Sequence, residues 1–327
     1  MTDFHFAWQH LSFSIGVSIG LVNVEDGLFT LAEILRAADA ACYMAKEKGR
    51  NRVQVYRPDD SELTLRQGEM EWIGRLQKAL DENRFVLYAQ DIVEVGEKRT
   101  QGIHCELLIR MLDEKGELVP PMAFIPAAER YNLMPAIDRW VIRTAFATLS
   151  RLQHDPSAEQ VTMCAINLSG ASIGDDRFLD FVREQLRVFE IARACVCFEI
   201  TETAAIANLD KAARFIQELK ALGCRFCLDD FGAGMSSFGY LKHLPVDFLK
   251  IDGVFVKDMA DDPIDRAMVE AINSIGHVMG KQTIAEFVDG ERIMAALQEI
   301  GVDFAQGYGV GRPRLFAPRL RLAERVA

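Results

Sequence analysis

Long hydrophobic runs are missing from this chain: no apolar stretch reaches the roughly 18–20 residues that cross a bilayer. The N-terminus, MTDFHFAWQH, also lacks the basic and apolar regions of a signal peptide. The chain is therefore expected to be cytoplasmic, with no membrane contact of its own. Positive charge is scarce as well, with 37 Lys and Arg against 48 Asp and Glu and a net charge of −11. Gripping long nucleic acid takes cations at many phosphates, so that class of partner is excluded. A phosphorylated ligand would have to be met through metal ions or a local basic patch. The seven cysteines are an odd number scattered through apolar stretches, and no disulfide framework is indicated. Cys224-Arg-Phe-Cys227 has thioredoxin-like spacing but falls within a predicted strand and not at a helix start, so it reads as core.

What is present is enough apolar material for a packed core, 50% of 327 residues, in two segments of different kind. Before a polar joint at residues 56–61 (YRPDDS), LSFSIGVSIGL (11–21) reads as a strand and LAEILRAADAACYMAKEKG (31–49) as an amphipathic helix closed by Gly49. One strand and one helix cannot bury enough surface to stand alone, so residues 1–60 look like the end of a larger domain. Residues 61–327 are regular. Strand candidates fall at 85–90, 102–109, 161–167, 195–200, 224–230, 248–251, 282–286 and 302–306. Helical patterns separate most of them, among others at 135–152, 210–223, 263–280 and 291–301. Such alternation predicts an α/β fold, a TIM-like (β/α)8 barrel. The first connection, 91–101, is too short for a parallel crossover, so the first strand is expected to run antiparallel to the second.

In such barrels functional groups project from the C-terminal strand ends. Glu106 lies on the second strand, Asn167 ends the third, Glu199 lies near the end of the fourth and Asp229 and Asp230 close the fifth. Lys250 is on the sixth, Glu286 closes the seventh and Gln306 the eighth. Gln90, ending the reversed first strand, shares the pocket only if that strand delivers it to the same mouth. Any one of these acids alone is compatible with a helix cap or a solvated loop; their recurrence strand after strand is not. An all-oxygen ligand set without a His or Cys cluster suits hard cations, Mg²⁺ or Mn²⁺. The adjacent Asp229 and Asp230 repel unless cations lie between them, and can bridge two ions.

The ordered series ELLIR (106–110), INLS (166–169), FEITET (198–203), LDDFGAG (228–234), LKID (249–252), AEFV (285–288) and AQGYG (305–309) resembles the EAL-domain family, phosphodiesterases of cyclic di-GMP, over about residues 67–316. The resemblance implies two divalent ions, magnesium or manganese. Glu106, Asn167, Glu199 and Asp229 would hold the first and Asp229 and Asp230 the second, with Lys250, Glu286 and Gln306 completing the water and metal site. It places Gln90, Arg110 and Gln306 on the substrate, and Glu202 as the acidic anchor of the loop after the aspartates. It further implies hydrolysis to linear pGpG and a homodimer coupled to that loop. SIGVSIG (14–20) with AADAACYMAKEKGRNRV (37–53) resembles the closing part of a GGDEF domain. No Gly-Gly pair occurs in the chain, so the cyclase signature is absent and cyclase activity is not expected.

The chain departs from the family pattern in three places: Leu107 beside the metal ligand, Asp91 in place of the usual proline, and the loop, where Ala233 and Met235 stand. None removes a ligand. The rival reading is a receptor that binds cyclic di-GMP without cutting it.

Overall fold

The computed structural model describes residues 5–8, 11–14, 17–23, 53–56, 72–96, 102–232 and 238–316, with single positions at 34, 38, 41 and 45. The chain separates into two compact units, Met1–Lys78 and Ala79–Ala327.

In the first unit β1 (His5–Trp8) and β2 (Leu11–Ser14) pair antiparallel, and β3 (Ile19–Leu21) pairs parallel with β4 (Val53–Val55). Residues 11–21, expected as one strand, are thus β2 and β3, with Val17 and Ser18 in neither. A parallel pair requires a crossover. Ile34, Ala38, Ala41 and Ala45 are helical, spaced to share one helix face, and Ala41 and Ala45 are fully buried. The remaining positions of the expected helix 31–49 lie outside the described residues, as does the joint 56–61 apart from Tyr56.

In the second unit eight strands close a barrel: β5 (Phe85–Glu94), β6 (Ile103–Leu112), β8 (Val161–Asn167), β9 (Val196–Thr201), β10 (Arg225–Phe231), β11 (Phe248–Ile251), β12 (Gln282–Ala285) and β13 (Phe304–Gln306). As expected, β5 is reversed and runs antiparallel to both neighbours, β6 and β13, while the others are parallel. Two short strands lie outside the ring: β7 (Leu118–Val119) on β6 and β14 (Arg314–Leu315) on β5.

Helices cover the strands: α1 (Pro121–Arg130), α2 (Met134–His154), α3 (Gly170–Ile173), α4 (Asp176–Val188), α5 (Glu202–Ala207), α6 (Leu209–Ala221), α7 (Gly253–Val256), α8 (Pro263–Val278) and α9 (Glu291–Ile300). Their buried faces follow the helical repeat. In α6 Ala212, Phe215, Ile216 and Leu219 face inward, and in α8 Val269, Ile272, Asn273 and Gly276 do so at the same spacing. Asp262 caps α8 by accepting from the Ile264 amide, and Pro263 fills the first helical position. Among the described residues no helix is long and apolar enough to cross a membrane.

The barrel interior is plugged by Ile92, Met163, Ala165, Cys197, Cys227, Phe248, Ile284 and Phe304. His104 joins this layer with its ring 5.4 Å from that of Phe304, and burial lowers its pKa. Cys227 therefore packs inside the barrel, and burial pushes the neighbouring Cys224 thiol up to about 12.

Candidate active site

Side chains on a strand return to the same face every second residue. Stepping two residues beyond the plug, forward on the parallel strands and β6 and backward on reversed β5, replaces Ile92 by Gln90, His104 by Glu106 and Ala165 by Asn167. The same step leads from Cys197 to Glu199, Cys227 to Asp229, Phe248 to Lys250, Ile284 to Glu286 and Phe304 to Gln306. The apolar plug is thus floored against a complete polar layer at the C-terminal mouth. The reversed strand does bring Gln90 there, since Gln90 lies opposite Glu106 in the β5–β6 register.

The Lys250 ammonium is the hub. Its Nζ lies 3.2 Å from Glu106 Oε2, 3.4 Å from Glu199 Oε2, 3.2 Å from Asp229 Oδ1 and 2.9 Å from Glu286 Oε1. Neutral amides fix the acids further. Asn167 Nδ2 donates to Glu106 Oε1 at 2.6 Å, and Gln306 Nε2 to Glu106 Oε2 at 2.7 Å and Gln90 Oε1 at 3.3 Å. Gln90 Nε2 donates to the Gly311 carbonyl at 3.0 Å. Burial works against ionising Glu106, but Lys250 and these amides outweigh it and hold its pKa below the ordinary value. Glu199 goes the other way: burial, only partly relieved by Lys250 and reinforced by the other acids, raises it well above the usual range. Burial and Asp229 likewise lift Glu286, to about 7 against the pull of Lys250, and raise Asp230.

Ordinary alternation would send Asp229 and Asp230 to opposite faces of β10. Asp230 instead adopts a left-handed backbone (φ 54°), and the β10–β11 register shifts between Leu228 and Phe231. As a result one oxygen each from Asp229, Asp230 and Glu286 comes within 4.8 Å of the others, a spacing a metal ion can span. Three buried acceptors in the layer take no hydrogen bond: Glu199 Oε1, Gln306 Oε1 and Asp229 Oδ1, the last facing Lys250 only as an ion pair. Buried polar atoms rarely stay unsatisfied. Oxygens of this kind fit hard divalent cations.

Glu202, the first residue of α5, reaches across to β10. Its Oε2 accepts from the Gly232 amide at 3.1 Å and its Oε1 from the Tyr240 hydroxyl at 2.7 Å. Gly232 has φ 98°, open to glycine and strained for other residues, so this amide donor depends on the residue type. Both sides of the loop at 233–237 thereby meet one carboxylate; Ala233 and Met235 lie outside the described residues. Tyr240 carries no local sequence signal, because its partner is far away in the chain.

Arg110, four residues beyond Glu106 on β6, is half-buried. Its Nη1 donates to the Ile109 carbonyl at 2.8 Å and its guanidinium lies 5.8 Å from the Tyr88 ring centre. Asp91 pairs with Arg314 of β14, and Leu107 is buried.

The EAL domain family model matches residues 73–313. The cyclic di-GMP phosphodiesterase PdeB of Shewanella oneidensis is 41% identical over 323 residues, covering 97% of this chain and 37% of that protein. PdeF of Escherichia coli, also a cyclic di-GMP phosphodiesterase, is 34% identical over 78% of this chain and 33% of its own length. The chain thus spans about a third to a half of the length of the curated relatives it matches. Among solved structures, the FimX EAL domain of Pseudomonas aeruginosa bound to c-di-GMP superposes with a TM-score of 0.70 at 30% identity, covering 77% of this chain and 100% of that one. A reversed first strand, an acid-rich layer at the strand ends and a sequence match across that whole region agree: this chain belongs to the EAL-domain family.

Proposed function

We propose that the chain hydrolyses cyclic di-GMP to linear pGpG with the help of two divalent cations, Mg²⁺ or Mn²⁺. The observation that carries this reading is the charge of the polar layer. Glu106, Glu199, Asp229 and Glu286 surround a single ammonium, Lys250, and Asp230 lies beside Asp229 and Glu286. When all are ionised they leave four negative charges, which two divalent ions balance. Glu106, Asn167, Glu199, Asp229, Asp230 and Glu286 would hold those ions. Once bound, such ions activate water as a nucleophile and neutralise charge on the phosphodiester oxygens.

The chain's own residues do the rest. Lys250, held by four carboxylates, has its pKa kept high by them despite burial, and so presents a permanent positive charge to the reacting phosphate. Glu286 holds or releases a proton near neutrality. Water's oxygen joins phosphorus, the P–O3′ bond breaks and a proton ends on the leaving 3′ oxygen. Arg110 offers a planar fork to a phosphate, with Gln90 and Gln306 lining the floor. At the rim Phe287 and Tyr308 are more than half exposed, with Lys257 Nζ 4.2 Å and the Arg312 guanidinium 4.9 Å from their ring centres. Aromatic faces with cations beside them suit stacked bases and phosphates.

The same reading makes residues 1–60 the closing part of a GGDEF-like domain, supported by the parallel β3–β4 pair and the helical positions between them. It makes residues 61–327 the phosphodiesterase, working as a homodimer, which sedimentation tests. The decisive assay is incubation with cyclic di-GMP and Mg²⁺ or Mn²⁺. Formation of pGpG supports hydrolysis, and binding without product moves the chain to the receptor reading.

A further inference from the structure

Asp138 is a deeply buried carboxylate that the reading above leaves unused. It lies in the second turn of α2 and is only 3% exposed. A charge at that depth ordinarily has a cation beside it, yet among the described residues none pairs with it. Its partners are neutral donors from the segment after β8. Asp138 Oδ2 accepts from the Ser169 amide at 3.1 Å, from Ser169 Oγ at 2.7 Å and from Ser172 Oγ at 2.7 Å. Ser169 Oγ lies 3.3 Å from Ser172 Oγ and has one proton to give, so the shorter, charge-assisted bond to Asp138 takes it. The same oxygen accepts from the Ser172 amide at 3.3 Å, capping α3. Asp138 thus holds both Ser169 and Ser172, the cap and the first turn of a helix only four residues long.

That clamp grips the backbone just beyond Asn167. Leu168, between the two, donates its amide to the Glu199 carbonyl at 2.8 Å. The chain leaving β8 is therefore pinned by β9 at residue 168 and by α2 at residue 169. With those two points fixed, the direction in which Asn167 leaves the backbone is fixed as well. A buried carboxylate without a cation is a poor device for stability alone.

We propose that Asp138 is a positioning residue for the divalent-cation site: by clamping Ser169 and Ser172 it sets the aim of Asn167. The inference rests on reading Asn167 as a metal ligand. The test is Mn²⁺ titration of the whole chain without substrate, followed by the electron paramagnetic resonance signal of free Mn²⁺. Asp138→Ala should weaken Mn²⁺ binding about tenfold or more, as loss of a group orienting a ligand commonly does. Asp138→Asn keeps an acceptor oxygen for the serines and should recover most of the loss. Ser172→Ala removes a single donor, should weaken binding in the same direction, and serves as the test if Asp138→Ala does not fold. Asn167→Ala is the reference: it should itself weaken Mn²⁺ binding, and adding Asp138→Ala to it should cost little more. Unchanged affinity in folded Asp138→Ala or Ser172→Ala overturns this inference while leaving the site reading intact. So does a full additional loss on top of Asn167→Ala. Wild-type affinity in Asn167→Ala overturns both.

Discussion

Lys250 Nζ and Glu286 Oε1 lie 2.9 Å apart at the mouth of the barrel, the shortest of four ion pairs the same ammonium makes. Lys250 is 1% exposed, so its charge is tolerated only because the acids surround it. They in turn are too many for one cation, and this imbalance shapes the behaviour expected of the site.

Replacing Lys250 by Met should destabilise the metal-free protein by about 3–5 kcal/mol, the usual cost of removing one partner from a buried ion pair. Mn²⁺ should restore part of the lost melting temperature, because it supplies positive charge to the same oxygens. Turnover should remain at least about a hundredfold down. Thermal unfolding with and without Mn²⁺, alongside kcat, checks each part.

Glu286 gives the metal-free protein a defined pH response. Its folded pKa is lifted from 4.5 to about 7. Between those values the folded state binds more protons than the unfolded one, so this group's contribution to stability falls as pH rises from about 4.5 to about 7 and is flat above. Mn²⁺ binding should expel that proton, with more proton release at pH 6 than at pH 8. Calorimetry in buffers of different ionisation enthalpy measures the release, and Glu286→Gln should reduce it. Equal release at both pH values in the wild-type chain would contradict the assignment.

Arg110→Ala should act on KM for cyclic di-GMP by about tenfold, with a smaller change in kcat, because a charge-assisted contact present in both ground and transition states affects binding uniformly. An unchanged KM counts against a phosphate contact. Glu106→Ala or Asp229→Ala should instead abolish metal-dependent turnover.

Tyr240→Phe removes the hydroxyl from Glu202 and should loosen the carboxylate that also holds the Gly232 amide. Hydrogen exchange at Gly232 should speed up by about tenfold, matching the roughly 1.4 kcal/mol of one hydrogen bond to a charged group. Exchange at barrel amides such as Leu249 should not change.

The barrel and its polar layer were largely legible because both obey the period of two: each strand segment could be read, and a polar residue at or near its mouth end named. The reversal of β5 followed from the shortness of one connection. What stayed hidden depends on partners distant in sequence. Whether Gln90 reached the mouth could be settled only by the β5–β6 register. The convergence of Asp229 and Asp230 depends on a left-handed residue that alternation does not anticipate. α1 was not singled out, since Pro120, Pro121 and Pro126 break up its pattern, yet the first two sit at its start, where proline is tolerated. Asp138 and Tyr240 look like ordinary helix and loop residues until Ser169 and Glu202 come across to meet them.

The most direct test is anomalous diffraction at the manganese edge from crystals of the chain holding Mn²⁺ and cyclic di-GMP. Two peaks are expected, one among Glu106, Asn167, Glu199 and Asp229 and the other against Asp229 and Asp230, both facing the phosphodiester. Manganese bound elsewhere, with Lys250 still ion-paired to all four carboxylates and the dinucleotide in place, would contradict the account.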